Sequence, residues 1–198
     1  MVNPVRKQLL AVCMAALSAF CLPALADDDG HTHPGGSRLV WLDRLSLVSG
    51  KEAELTTAHD STKSGVGGGL AGLVIESATI GNTFSDGGNK VVQTAAQVPP
   101  GQKVSGVRVC YELTAGGAAG SYITQIRLAQ VQDPPATALV LLDDATALIQ
   151  PGPICVDSAV VNPPIGPTLG ALLLDLRVNF QNTSDRIVVR GLALHLTH

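Results

Sequence analysis

The densest chemistry in the chain is Asp27-Asp28-Asp29 followed by His31 and His33, three carboxylates and two imidazoles within one short polar run. Imidazole nitrogen and carboxylate oxygen together suit Cu²⁺, Ni²⁺ or Zn²⁺, so Asp27, Asp28, Asp29, His31 and His33 form the candidate divalent-metal set. Cleavage after Ala26 would make His31 the fifth residue of the mature chain rather than the third, so a compact amino-terminal copper clamp does not form. The plainer reading of the same residues is a solvated tail, and the chain calls for no other cofactor.

Other combinations carry less. Gly67, Gly69 and Gly72 satisfy the spacing G-x-G-x-x-G, but a dinucleotide site needs a strand before them and a helix after, and no helical period follows. A nucleophile needs a base within reach, yet no G-x-S-x-G elbow is present. His59 falls in a Thr/Ser/Asp/Gly-rich stretch read as a surface loop, and His195 alternates outward near the terminal His198. Asp143-Asp144 offers clustered carboxylates for Ca²⁺, against the simpler reading of a strand-ending turn. Trp41, Tyr111 and Phe180 share parity with apolar neighbours, which points them inward and leaves only Phe84 or Tyr122 to stack on a sugar ring, a shortage that counts against carbohydrate binding.

The elements that must position these residues are β-strands. Val107, Val109, Tyr111 and Leu113 alternate with Arg108, Cys110 and Glu112, and beyond the Ala115–Gly120 stretch the alternation resumes as Tyr122, Thr124, Ile126 and Leu128. This reads as a hairpin with a loose glycine tip. Arg38–Val48 reads as a first strand with Leu39, Trp41, Leu45 and Leu47 on one face. Leu172, Leu174, Leu176, Val178 and Phe180 set one buried face against the wet face of Asp175, Arg177 and Asn179. In the last strand Ile187 and Val189 face inward at odd positions and Leu192, Leu194 and Leu196 at even ones, which predicts a bulge at Gly191. No i, i+3, i+4, i+7 stripe follows the first 26 residues. Eight or nine short strands separated by Gly, Pro, Asn and Asp predict an all-β, two-sheet antiparallel β-sandwich, jelly-roll-like, with an immunoglobulin-like sandwich as alternative and a closed barrel third.

Arg6 and Lys7, the apolar stretch Gln8–Leu22 and the small residues Ala24-Leu25-Ala26 read as a signal peptide over 1–26. A flexible acidic and histidine-bearing tail over 27–37 follows, then a single domain over 38–198. Export implies a periplasmic or extracellular location and no membrane span once the signal is removed. The chain has 13 basic and 16 acidic side chains; without Arg6 and Lys7 the balance is −5, which repels nucleic acid and anionic lipid. Of the four cysteines, Cys13 and Cys21 leave with the signal, so the bridge Cys110–Cys155 is the one intramolecular pairing open to the mature chain. These features point to an exported, non-enzymatic sandwich working through its surface as an interaction, adhesion or scaffold module. It would meet a protein or glycan partner or a second copy of itself. A metal- or carbohydrate-binding module is the alternative, and a hydrolase with a loop-built site comes after it.

Overall fold

The computed structural model describes residues 37–50, 53–59, 70–83, 87–114, 120–132, 138–159 and 170–198. The stretch read as a signal peptide, the candidate metal set Asp27, Asp28, Asp29, His31 and His33, and Phe84 lie outside these residues. Among the described residues there are eleven strands rather than eight or nine: β1 (Arg38–Leu42), β2 (Val48–Ser49), β3 (Ala53–His59), β4 (Leu70–Ser77), β5 (Asn89–Ala96), β6 (Lys103–Leu113), β7 (Tyr122–Gln132), β8 (Ala138–Asp144), β9 (Ile154–Ala159), β10 (Gly170–Asn179) and β11 (Ile187–Thr197). They form two antiparallel sheets. One has the order β3-β4-β11-β6-β9 with β1 also paired to β11, and the other has the order β2-β5-β10-β7-β8. From β4 to β7 and from β8 to β11 each strand hands the chain to the opposite sheet, which makes a jelly-roll sandwich. Among the described residues no helix is long and apolar enough to cross a membrane.

The core lies between the sheets, where inward side chains of both interdigitate. Val107, Val109, Tyr111, Leu113, Ile187, Val189, Leu192, Leu194 and Leu196 line it from one side; Val92, Ile126, Leu128, Leu172, Leu174, Leu176 and Val178 line it from the other. Phe180 and Tyr111 are buried as their parity requires. The expected bulge in β11 is present, with the register to β6 shifting between Val189 and Gly191. Arg190 is the extra residue, and the inward positions change from odd to even across it.

Several expectations need correcting. The stretch read as a hairpin is two strands in different sheets: β6 pairs with β11 and β9, β7 with β10 and β8. Their apolar faces meet across the core instead of lying side by side, because alternation specifies a facing and not a partner. A second bulge, between Arg177 and Val178 on β10, leaves Thr124 unpaired on β7. Ile123 rather than Thr124 therefore joins Ile126 and Leu128 in the core.

The first strand is likewise broken. The Asp43 side chain accepts from the Leu45 amide and caps a 3-10 turn over Arg44–Ser46, after which β2 joins the other sheet. In β1 the facing is opposite to the one read. Val40 and Leu42 stand opposite Leu194 and Leu192 and pack on the core. Leu39 and Trp41 face outward, and Leu45 is exposed. All four residues Leu39–Leu42 are apolar, so pairing with β11 and not the sequence pattern decides which two are buried. Finally, residues 56–59 and 70–72, read as loop, are strand: β3 and β4 pair from Ala53↔Ser77 to His59↔Leu70.

Candidate functional site

Directly opposed residues on antiparallel neighbours share a face, so the outward side chains of the five-stranded sheet fall into transverse rows. Val48, Gln93, Asp175, Arg127 and Asp143 form one row across all five strands. Val91, Arg177 and Gln125 form the row on one side of it, and Ala95, Leu173, Ala129 and Val140 the row on the other. At the centre is a groove of about 420 Å³ lined by Val91, Gln93, Gln125, Arg127, Asp175 and Arg177. A shallower lobe of about 350 Å³ adjoins it through the shared Gln93 and is bounded by Val48, Ala95 and Leu173. One half of the sheet face is therefore built to hydrogen-bond and the other to make apolar contact.

The polar half is tied together by bonds among its own side chains. Arg127 Nη2 donates to Asp143 Oδ2 at 2.8 Å and Nε donates to Oδ1 at 3.3 Å, with Gln125 Nε2 also donating to Asp143 Oδ1. The Arg127 bond holds the Asp143 carboxyl below its ordinary range, and that carboxylate raises Arg127 in turn. Arg177 Nε donates to Asn89 Oδ1 at 2.7 Å. Asp175 is different, because burial pushes its carboxyl up while the Arg127 charge pulls the other way. Two carboxylates with opposite shifts can signal glycoside hydrolysis. Here they sit two strands apart, about 10 Å at the backbone, with Arg127 between them in the row and bonded to Asp143.

The outer face of the six-stranded sheet carries a second polar cluster. Arg108 donates from Nη2 and Nε to Asp157 at 2.6 and 2.7 Å, and His195 Nε2 lies 2.8 Å from Asp157 Oδ1. A cavity of about 280 Å³ beside them includes Ser105, Ser158 and His195. An imidazole on a carboxylate near serines invites a hydrolase reading, but two of those hydroxyls are committed elsewhere. Ser105 Oγ donates to the His195 carbonyl at 3.2 Å and Ser158 Oγ to Asp144 Oδ2 at 2.5 Å.

Arg108, against an opposing burial effect and with help from His195, brings the Asp157 carboxyl down to about 2. A carboxyl lowered on folding stabilises the protein above its unfolded value of 3.8 and loses that contribution as pH falls towards 2. Nearly two units correspond to roughly 2 kcal/mol, and screening at a side chain 45% exposed reduces this to about 1 kcal/mol. Asp157→Asn should therefore match the wild type near pH 2 and be about 1 kcal/mol less stable above pH 4. Urea titrations at the two pH values check this.

The structure joins Cys110 to Cys155 in a disulfide, as expected, with the two residues directly opposed on β6 and β9. His195 faces outward as its parity required and is paired with Asp157. Asp143 and Asp144 do not form a Ca²⁺ loop: they end β8, and consecutive strand residues point to opposite faces, Asp143 to Arg127 and Asp144 to Ser158. His59 lies in β3 instead of a loop. Among the described residues no group of three or more His, Cys, Asp and Glu side chains is placed to hold a metal ion. The groove residues Gln93, Gln125, Arg127, Asp175 and Arg177 carried no functional expectation from sequence, although Asp175 and Arg177 read as part of a wet face. Each is a polar residue at outward parity, but only the strand order β5-β10-β7 makes them one site.

No protein-family model and no curated protein matches the sequence. Among solved structures, the chain is similar to one described as "Structural basis for the promiscuous specificity of the carbohydrate-binding modules from the beta-sandwich super family". The TM-score is 0.50 at 10% identity, with 77% of this chain and 57% of that one covered. It also aligns with a xylan-binding module, CBM15, at TM-score 0.48 and 8% identity, covering 82% of this chain and 99% of that one. A third alignment is with CtCBM11, at TM-score 0.45 and 10% identity, covering 84% and 99%. The chain thus spans a little over half of the first of these structures. At such identities the first likeness shows the fold: a β-sandwich of the type used by carbohydrate-binding modules.

Proposed function

We propose that this protein is an exported, non-catalytic module that binds a neutral oligosaccharide along the outer face of its five-stranded sheet and serves adhesion or scaffolding through that contact. The observation that carries the reading is the groove over β5, β10 and β7. Gln93, Gln125, Asp175, Arg127 and Arg177 line it, and the apolar lobe of Val48, Ala95 and Leu173 runs on from it. A pyranose has the same division, with hydroxyls around its edge and C–H groups on its faces. The lining has two guanidiniums, and with Asp143 two carboxylates, so it favours no net ligand charge. The volume of about 420 Å³ is in the range of small-ligand sites. The carbohydrate-binding description of the structural neighbour agrees with this reading, and the disulfide suits a chain working in an oxidising compartment.

Affinity electrophoresis through gels containing xylan, mixed-linked β-glucan, cellulose derivatives or dextran tests the reading. Migration should be retarded by at least one polymer, and Arg127→Ala should weaken that retardation about tenfold or more while the circular dichroism spectrum stays unchanged. No reducing ends should appear on long incubation. Migration unaffected by every polymer would reject the proposal.

A further inference from the structure

We propose that the opposite face of the sandwich holds a second saccharide site whose platform is Trp41, so that one domain engages two glycan chains at once. This rests on the oligosaccharide reading above but uses none of the groove residues. Trp41 is 56% exposed on β1, although its position in an apolar run suggested burial. Its benzene edge lies over Gly191: a side chain begun at that residue would come 2.8 Å from Trp41 Cζ3 and 3.7 Å from Cys110 Cβ. The bulge glycine therefore has a packing role, giving the indole a flat seat on the sheet beside the disulfide.

The surrounding rows complete the site. Trp41, Ala193, Arg108 and Asp157 follow one another across β1, β11, β6 and β9, and the next row is Leu39, His195, Gly106 and Ala159. A second glycine seat repeats the device, since a Cβ at Gly106 would come 3.3 Å from His195 Cδ2. The small residues Gly191, Ala193 and Gly106 are buried beneath these side chains, Ala193 fully. Across the row the exposed indole is followed by the Arg108–Asp157–His195 cluster, with the cavity of about 280 Å³ beside the histidine. An aromatic face takes the C–H face of a pyranose, and side chains already fixed by one another meet its hydroxyls with little further loss of freedom. A purely apolar partner would leave the guanidinium and carboxylate without hydrogen bonds to water, whereas a sugar replaces them.

Trp41 is the chain's one tryptophan, so indole emission reports this face and is blind to the groove. The intact protein is titrated with xylohexaose, cellohexaose, a mixed-linked β-1,3-1,4 tetrasaccharide and isomalto-oligosaccharides, following emission and heat in parallel. The expected result is a saturable emission shift with at least one sugar and a calorimetric stoichiometry of two. Trp41→Ala should reduce the stoichiometry to one, and Arg127→Ala should leave the emission shift in place. Gly191→Val, which displaces the ring while keeping it, should weaken the emission-detected binding about tenfold or more; it also serves if Trp41→Ala does not fold. Calorimetric binding at one site, lost in Arg127→Ala and with emission unmoved throughout, overturns this inference and leaves the groove standing. No heat and no emission change with any sugar rejects both.

Discussion

Replacing Cys110 and Cys155 together by serine should lower the stability of the domain by about 4 kcal/mol and its melting temperature by roughly 10 °C. The bridge closes a sequence separation of 45 residues, and releasing that closure returns its conformational freedom to the unfolded chain. The structure adds where the loss is felt. Among the described residues β9 is an edge strand of its sheet with β6 as its one neighbour, and the sulfurs fasten that edge from the outside. Asp157 lies two residues beyond Cys155 on β9, so the Arg108–Asp157–His195 cluster loosens with the strand. The double variant should consequently show a smaller stability difference between pH 4 and pH 2 than the wild type. Differential scanning calorimetry, with and without reductant, reads both effects. An unchanged melting temperature in the double variant would mean that β9 is held by its ladder and core contacts alone.

Features encoded by short-range pattern were legible in the sequence. Alternation placed most strands, parity buried Tyr111 and Phe180, the switch of inward residues from odd to even positions located the bulge beside Gly191, and cysteine count pointed to the bridge. Features decided by partners were not. Leu39-Val40-Trp41-Leu42 is apolar at every position, so only the pairing of β1 with β11 exposes Trp41. β6 and β7 both read as strands, yet nothing in their residues says that one belongs to each sheet. The groove shares this origin. Arg127, Asp175 and Gln93 are 82 residues apart at the extremes and become neighbours because β10 lies between β5 and β7. The polar cluster around Asp157 is another case, since Arg108, Asp157 and His195 come from three strands whose order no local motif records.

Strand β10 allows stability and binding to be separated on one element, and this gives the second large effect. Its even residues Leu172, Leu174, Leu176 and Val178 are buried in the core, and its odd residues Leu173, Asp175 and Arg177 face the groove. Leu174 is fully buried at the centre of this row, with Thr94 and Leu128 opposite it on β5 and β7. Leu174→Ala removes its apolar contacts and leaves a cavity, so it should cost about 3 kcal/mol and leave affinity within about twofold once the protein is saturated in its folded form. Asp175→Asn should do the reverse. Burial raises the Asp175 carboxyl above its ordinary range, so its ionised form is disfavoured by folding. That penalty is present above its folded pKa and disappears as pH falls through it. The neutral amide should therefore be slightly more stable than the wild type at pH 7 and equal to it in acid, while glycan binding falls about tenfold. A partly buried carboxylate that lines a groove is a candidate contact for a ligand. If Asp175→Asn lost stability and kept its affinity, the groove would be a structural feature of the sheet and the ligand would have to be sought on the Trp41 face alone.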